Sequence, residues 1–486
     1  MSAYDDRVEG VLLGTAAGDA LGAPYEFQPP RAPELEVAMV GGGPWQRGEW
    51  TDDTAMAIAI AEVAATGADL RDATAQDAIV SRWLEWSHTA KDVGIQTGSV
   101  LRSASRGGHI TASDARSASE ALHRQTGRTA GNGSLMRTAP VALAYLDDED
   151  AMVEAARAIS ELTHHDEDAG DACVLWCSAI RHAVLTGELD ARAGLRHITA
   201  ERRDLWETRL SAAESAAPAS FPNNGWVVTA MQAAWSAIVT TPVPKDEPEA
   251  GTFRADHLRL ALDAAVRAGH DTDTVAAIAG GLLGAAHGAS AVPSAWRRLL
   301  HGWPDISAHE LVALGSAIAR GGEPDLFDYS YFDSSIDTCA RHPYDERILL
   351  GGIGVLRNLP SEVDAVVSLC RLADEDMRHD MPHIEIRLID RTTHDENPHL
   401  DFVLADTVRL IEELRREGRT ALVHCVAAYS RTPTIGALYG ARLRDVGVDE
   451  AVRDVTAVLP GAYPNPAFRE ALRRLRTTKD DRKVAS

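Results

Sequence analysis

Three stretches of this sequence carry residue types whose spacing suits chemistry. Thr51-Asp52-Asp53-Thr54 and Asp271-Thr272-Asp273-Thr274 each set two carboxylates among hydroxyls, directly ahead of an Ala-rich apolar run. Asp and Thr in such a place also serve as helix caps, but a helix start needs one cap residue and each cluster offers more. Crowded acids raise one another's pKa unless a cation lies between them. An all-oxygen donor set suits Mg²⁺ or Mn²⁺ rather than zinc, and two clusters converging in space would hold two such ions. The third stretch, Val423-His424-Cys425-Val426-Ala427-Ala428-Tyr429-Ser430-Arg431-Thr432, places five residues between a cysteine and an arginine. A loop joining strand to helix can turn successive N–H groups onto a phosphate dianion. The same field favours a thiolate nucleophile at Cys425, and Arg431 can fork onto two phosphate oxygens. Thr432 is placed to hydrogen-bond that thiolate, and His424 to tune it.

The elements that must position these residues differ between the two parts of the chain. From Arg7 to about Arg320, Ala-rich segments with helical periodicity dominate, at 54–65, 151–162, 172–185 and 274–287. Gly- or Pro-bearing breaks separate them and no β alternation appears, so an all-α domain is expected over 1–320. The text GGEPDLFDYSYFDSS then changes texture, and a linker is expected at 321–340. Beyond it, short aliphatic runs at 347–350, 365–369, 384–389 and 420–424 alternate with helical stretches at 404–416 and 434–446. That alternation predicts an α/β sheet domain over 341–486. The fold class expected is therefore multidomain, all-α followed by α/β, which suits 486 residues.

Composition narrows the function. Net charge is −24, from 48 basic and 72 acidic residues, with no basic stripe, so no nucleic-acid partner is expected. No apolar run reaches membrane-spanning length, and the opening MSAYDDRVEG lacks a signal region. Five scattered cysteines indicate neither a disulfide framework nor a zinc site. These features predict a soluble, cytoplasmic protein with no membrane partner. Cys173 and Cys177 are expected to be buried thiols, and Trp83, Trp86, Trp226 and Trp235 core residues.

Six blocks, in order, resemble the ADP-ribosylglycohydrolase family. They are GVLLGTAAGDALGAPYEF (10–27), GEWTDDTAMA (48–57), KDVGIQT (91–97), GNGSLMRTAP (131–140), LTHHDEDAGDA (162–172) and GHDTDTVAAIAGGLLGA (269–285). The resemblance implies an all-α fold and a binuclear Mg²⁺ or Mn²⁺ centre. Thr51, Asp52 and Asp53 would be ligands from one side of the cleft, and Asp271, Asp273 and Thr274 from the other, with Asp19 supporting them. Glu26 sits where some relatives carry a mobile acidic residue, and Asp53, Asp273 or Glu26 would accept the proton of an attacking water. For the substrate it implies Asp92 near the ribose. Gly131, Asn132, Gly133 and Ser134 would form a loop whose backbone approaches diphosphate or ribose, and His164 would donate to a phosphate oxygen. The expected substrate is an ADP-ribosylated protein, with arginine the commonest modified side chain, or an ADP-ribose-containing small molecule.

From Arg347 to Phe468 the chain resembles the dual-specificity phosphatases, through ILLGGIGVLRNLPSEVDAVVSLC (348–370) and the cysteine loop. This implies a phosphorylated substrate, with Asp390 best matching the residue that protonates the leaving oxygen and Asp395 as fallback. One departure is clear: the family motif has glycine where Ala428 stands. A Cβ there strains a loop residue of positive φ. The alternative to a second phosphatase activity is thus a non-catalytic phosphate-binding or partner-binding module.

Overall fold

The computed structural model describes residues 2–323, 334–392 and 396–475. Asp395 lies outside them, as do much of the linker and the C-terminal tail beyond 475. Helix α1 (Ala3–Gly22) starts at a reciprocal cap: Ser2 Oγ accepts from Asp5 N, and Ser2 N donates to the Asp5 carboxylate. Every residue from Val8 to Gly22 is buried, so α1 is the axis of the helical part rather than a surface helix. Helix α2 (Asp52–Ala64), helix α3 (Glu167–Thr186) and helix α4 (Thr272–His287) surround it. Helix α5 (Ala308–Ala319) closes the bundle.

The closest helix pair is α1 with α4, and glycine makes it possible. Gly10, Gly14, Gly18 and Gly22 recur at i, i+4 and so form one stripe along α1. A Cβ on Gly14 would collide with the Gly280 carbonyl and one on Gly18 with the Ala276 carbonyl; one on Gly22 would stand 2.5 Å from Asp273 Cα. The backbones therefore touch, and the end of α1 is held against the start of α4.

The helical expectation holds for this part, with one small exception. His301–Gly302 pairs antiparallel with Ile306–Ser307, a bridge too short to show as alternation. Helix α3 begins five residues before the apolar period does. Its first turn is polar and is capped by Asp166, whose Oδ1 accepts from Asp168 N at 2.9 Å.

The C-terminal part is a five-stranded sheet. Strands β1 (Cys339–His342), β2 (Asp345–Gly352), β3 (Ala365–Ser368), β4 (His383–Glu385) and β5 (Ala421–Cys425) lie in the order β1-β2-β5-β3-β4. Only β1 is antiparallel to its neighbour. Strand β5 is central and wholly buried, as a parallel strand covered on both faces must be. Helix α6 (Leu400–Arg416) precedes it and helix α7 (Arg431–Arg444) follows.

Two expectations change here. Cys339 and Ala340, within the linker expected over 321–340, pair with Gly351 and Leu350 in the sheet. The strand expected over 384–389 stops at Glu385, since the chain then leaves the sheet to carry Arg387 into the helical part.

The contact between the two parts is extensive. One continuous cluster of buried apolar side chains includes residues of both, and the Phe253 and Phe402 rings meet edge-on at 5.8 Å. Beside it lies a buried ionic group. Arg371 meets Glu9 at 2.8 Å, and Arg387 Nε lies 3.5 Å from Asp6 and 3.7 Å from Glu9. His309 bridges Asp374 and Glu385 at 3.0 and 3.3 Å.

Candidate active sites

Helices α2 and α4 open with their carboxylates inside the protein: Asp53 is 0% and Asp273 3% exposed, and Thr51, Thr54 and Thr274 are buried beside them. Neither Thr51 nor Asp271 caps its own helix through its side chain, so capping does not explain either cluster. The start of α2 is capped by another helix instead. Asp19, fully buried on α1, accepts from Thr51 N and Thr54 N, both at 2.9 Å, and from Thr54 Oγ1 at 2.6 Å.

The glycine contact between α1 and α4 then brings the distant acids together. Carboxylate oxygens of Asp19, Asp53 and Asp273 lie within 4.8 Å of one another, and so do those of Glu26, Asp271 and Asp273. Glu26 is fixed by a backbone bridge, in which Phe27 N donates to His270 O at 2.6 Å and His270 N to Gln28 O at 2.7 Å. Asp52, half-buried, belongs to neither set of three and turns one oxygen toward Gly94. Asp92 is exposed, its Oδ1 accepting from Val93 N at 2.8 Å.

Burial and mutual repulsion push these acids up. Asp19 rises to about 6 by burial, Asp52 to about 7 by burial and the Asp19 charge, and Glu26 to about 8 by burial and the Asp271 charge. Asp53 and Asp273 rise well above the carboxylate range for the same reasons. Asp53 Oδ1 and Asp273 Oδ1 are buried with no hydrogen-bond partner among the described residues. Buried carboxylates without donors are costly unless a cation neutralises them. The donors are all oxygen, which fits hard divalent cations.

The loop of Gly131, Asn132, Gly133 and Ser134 lies alongside. Asn132 Nδ2 donates to Asp271 Oδ2 at 2.8 Å and to Asn224 O at 2.9 Å. Asn132 N is engaged by Gly225 O at 3.1 Å, so this amide is not turned to a ligand as expected. The glycines make room for His164: a Cβ on Gly131 or Gly133 would lie 3.3 or 3.1 Å from its ring. Ser134 is buried behind them.

Sequence reasoning missed Asn224, which takes Asp271 N at 3.1 Å and donates to Gly269 O at 3.0 Å, tying the start of α4 to this loop. The only signal was a turn-like PNNG. Trp226, expected in the core, is 36% exposed, and its backbone bridges Gly131. Trp83, Trp86 and Trp235 are core residues, and Cys173 and Cys177 are buried thiols.

The cysteine loop occupies the junction expected of it. Cys425 ends β5, opposite Gly352 of β2, and Arg431 begins α7. Arg431 Nη1 donates to Leu369 O at 2.9 Å and Leu388 O at 3.1 Å. His424 Nε2 meets Ser368 Oγ at 2.6 Å, and burial lowers its pKa to about 4. Thr432 Oγ1 donates to Gly351 O at 3.2 Å rather than to the thiol, because the first turn of α7 points it back at β2. Asp390 is next to the loop: its Oδ1 accepts from Ser430 Oγ and from Asn465 Nδ2, both at 2.8 Å. Ala428 has φ +52° and is buried, the strained conformation that its Cβ disfavours.

A helical body that gathers Asp19, Asp53 and Asp273, with Glu26 and Asp271 beside them, presents an all-oxygen donor set of the kind hard divalent cations take. Residues 1–324 match the sequence model of the family described as ADP-ribosylglycohydrolase, and the chain belongs to that family. It is 29% identical over 296 residues to the ADP-ribosylarginine hydrolase Tri1 of Pseudomonas putida (strain GB-1), covering 60% of this chain and 73% of that protein. It is also 29% identical over 305 residues to the ADP-ribosyl-(dinitrogen reductase) glycohydrolase of Rhodospirillum rubrum, covering 60% of this chain and 89% of that protein. Similarity to the Dual specificity protein phosphatase 22-A of Danio rerio is 29% over 107 residues, 22% of this chain and 49% of that protein. No helix among the described residues is long and apolar enough to cross a membrane.

Proposed function

We propose that this chain hydrolyses the bond between C1 of the distal ribose of ADP-ribose and a modified arginine side chain. Two divalent cations, Mg²⁺ or Mn²⁺, would be held by Thr51, Asp52, Asp53, Asp271, Asp273 and Thr274. The observation that carries this reading is the convergence of two helix starts with orphaned buried carboxylate oxygens. The similarity to a protein named ADP-ribosylarginine hydrolase supports arginine as the modified residue.

When bound, such ions grip ribose hydroxyls and lower the pKa of a water. Asp53, Asp273 or Glu26 would take that water's proton. The Asp19 carboxylate holds the start of α2 in register with α4. Asp92, Asn132 and the loop of Gly131, Gly133 and Ser134 orient the ribose, and His164 donates to a phosphate oxygen. The glycosyl transition state carries positive charge, which the surplus of carboxylates favours. Asp52→Ala combined with Asp273→Ala is expected to abolish release of ADP-ribose from an ADP-ribosylated protein in Mg²⁺ or Mn²⁺ buffer. Wild-type release by that double variant would refute the metal reading.

For the C-terminal site we propose a cysteine-dependent phosphatase. Cys425 attacks phosphorus, Arg431 holds the phosphate oxygens and Asp390 gives its proton to the leaving oxygen. The placement of Asp390 beside Ser430 supports it. A second reading, a phosphate-binding module without turnover, is favoured by the strained Ala428 and by the Thr432 hydroxyl, which donates to Gly351 O. Turnover of an aryl phosphate by the full chain, lost in Cys425→Ser, supports the phosphatase. Equal rates in the two proteins exclude the thiolate mechanism, and phosphate binding with no turnover in wild type selects the module.

A further inference from the structure

Arg137 is a buried cation that the proposed chemistry does not use. It is 0% exposed, lies over the Trp83 ring at 3.9 Å, and forms no ion pair with a carboxylate among the described residues. Burial lowers its pKa to about 9, so it stays charged at neutral pH. Keeping an unpaired guanidinium in a core costs folding free energy, and its hydrogen bonds show where it acts. Nη2 donates to Thr163 Oγ1 at 2.6 Å and to Ile159 O at 3.5 Å, and Nη1 lies 3.8 Å from Met56 Sδ. Thr163 Oγ1 in turn lies 2.7 Å from His164 Nδ1.

The donor count then allows one arrangement. A guanidinium has only donors, so Thr163 Oγ1 accepts from Arg137. The hydroxyl has a single hydrogen, and its remaining neighbour among the described residues is His164 Nδ1. If Nδ1 carried the imidazole proton, the threonine hydrogen would be buried with no acceptor, an arrangement that costs free energy. A doubly protonated ring is opposed by burial and by the Arg137 charge, which push the His164 pKa well below its usual value.

We propose that Arg137 and Thr163 are positioning residues that lock His164 as the neutral tautomer protonated at Nε2. The ring edge bearing Nε2 lies against the loop of Gly131 and Gly133, and this nitrogen has no protein partner among the described residues. The Nε2–H is therefore presented as a fixed, uncharged donor to the loop side of the cleft. This inference rests on the proposed role of His164 toward a phosphate of ADP-ribose, and it explains what orients that donor. A neutral donor also suits a cleft already dense with titrating carboxylates, because it adds no charge that would shift them.

The test begins with the unmutated protein. Long-range ¹H–¹⁵N spectra of full-length, ¹⁵N-histidine-labelled chain, with His164 assigned by its loss in His164→Gln, are expected to show protonation at Nε2 only. Protonation at Nδ1 would overturn the proposal whatever the Thr163 variants do. Thr163→Val is expected to weaken ADP-ribose binding roughly tenfold and to raise KM with little change in kcat. It should also shift His164 toward a mixture of tautomers, and Thr163→Ser should restore both signals. If His164→Gln binds ADP-ribose as wild type does, the substrate role of His164 falls while the tautomer lock stands on its spectrum. If His164→Gln binds weakly but Thr163→Val changes neither spectrum nor affinity, the lock is wrong and the substrate role survives.

Discussion

Asp53 and Asp273 concentrate the physics of the N-terminal site. A carboxyl whose pKa is raised by folding binds more protons in the native than in the unfolded protein, so native stability falls as pH climbs between the two values. Asp19, Asp52 and Glu26 move to about 6, 7 and 8. The metal-free protein is therefore expected to lose thermal stability steadily from about pH 4 to about pH 8. Mg²⁺ or Mn²⁺ takes the place of those protons, so the metal-induced rise in Tm should be larger at pH 8 than at pH 5, with protons released on binding. A flat metal response across that range, read by calorimetry in two buffers of different ionisation enthalpy, would contradict this account. Asp53→Asn removes one repelling charge. Its metal-free form should melt higher than wild type at pH 8, and its Tm should respond less to Mg²⁺.

At the scale of elements, the stripe of glycines along α1 decides whether those residues meet. Gly18→Ala drives a methyl into the Ala276 carbonyl, and overpacking of this kind costs about 1–3 kcal/mol. Calorimetry should show that loss as a lower Tm, and Mg²⁺ affinity should drop because the acids on α1 and α4 separate. A surface change such as Arg124→Ala, far from this contact, should do neither.

Much of this was legible in the sequence. The helices carry strong apolar periods, and the TDDT and DTDT clusters and the Cys425–Arg431 spacing are visible as text. The four-residue glycine spacing is equally visible, but its partner helix is not, since a close contact between backbones leaves no side-chain pattern. Asn224, Asp19's capping of a foreign helix and the Arg137–Thr163 link were missed for a related reason: each acts through hydrogen bonds to residues distant in sequence. Strand β1 escaped because it is a four-residue edge of mixed polarity.

At the scale of the molecule, the helical and sheet parts share a core and a buried ionic group. Arg387 is 5% exposed in its side chain and faces Asp6, which is fully buried, and Glu9. Removing Arg387 leaves Asp6 buried without a cation, while Glu9 keeps Arg371; breaking a buried pair in this way costs about 3–5 kcal/mol. Arg387→Ala is thus expected to lower Cm in urea well beyond what an exposed arginine would, and Arg387→Lys to recover only part of it. An unchanged Cm in Arg387→Ala would show that the cluster contributes nothing to the union of the two parts.

The segment leaving β4 has a further consequence. Within four residues it offers Arg387 to the first turns of α1, Leu388's carbonyl to Arg431, and Asp390 to Ser430. The Cys425–Arg431 loop is therefore braced from outside its own sheet, and its surroundings are inherited partly from the far end of the chain. Anyone excising residues 341–486 as a separate domain would have to carry Ser2 to Glu9 along, because those few residues support the segment that walls the cysteine loop.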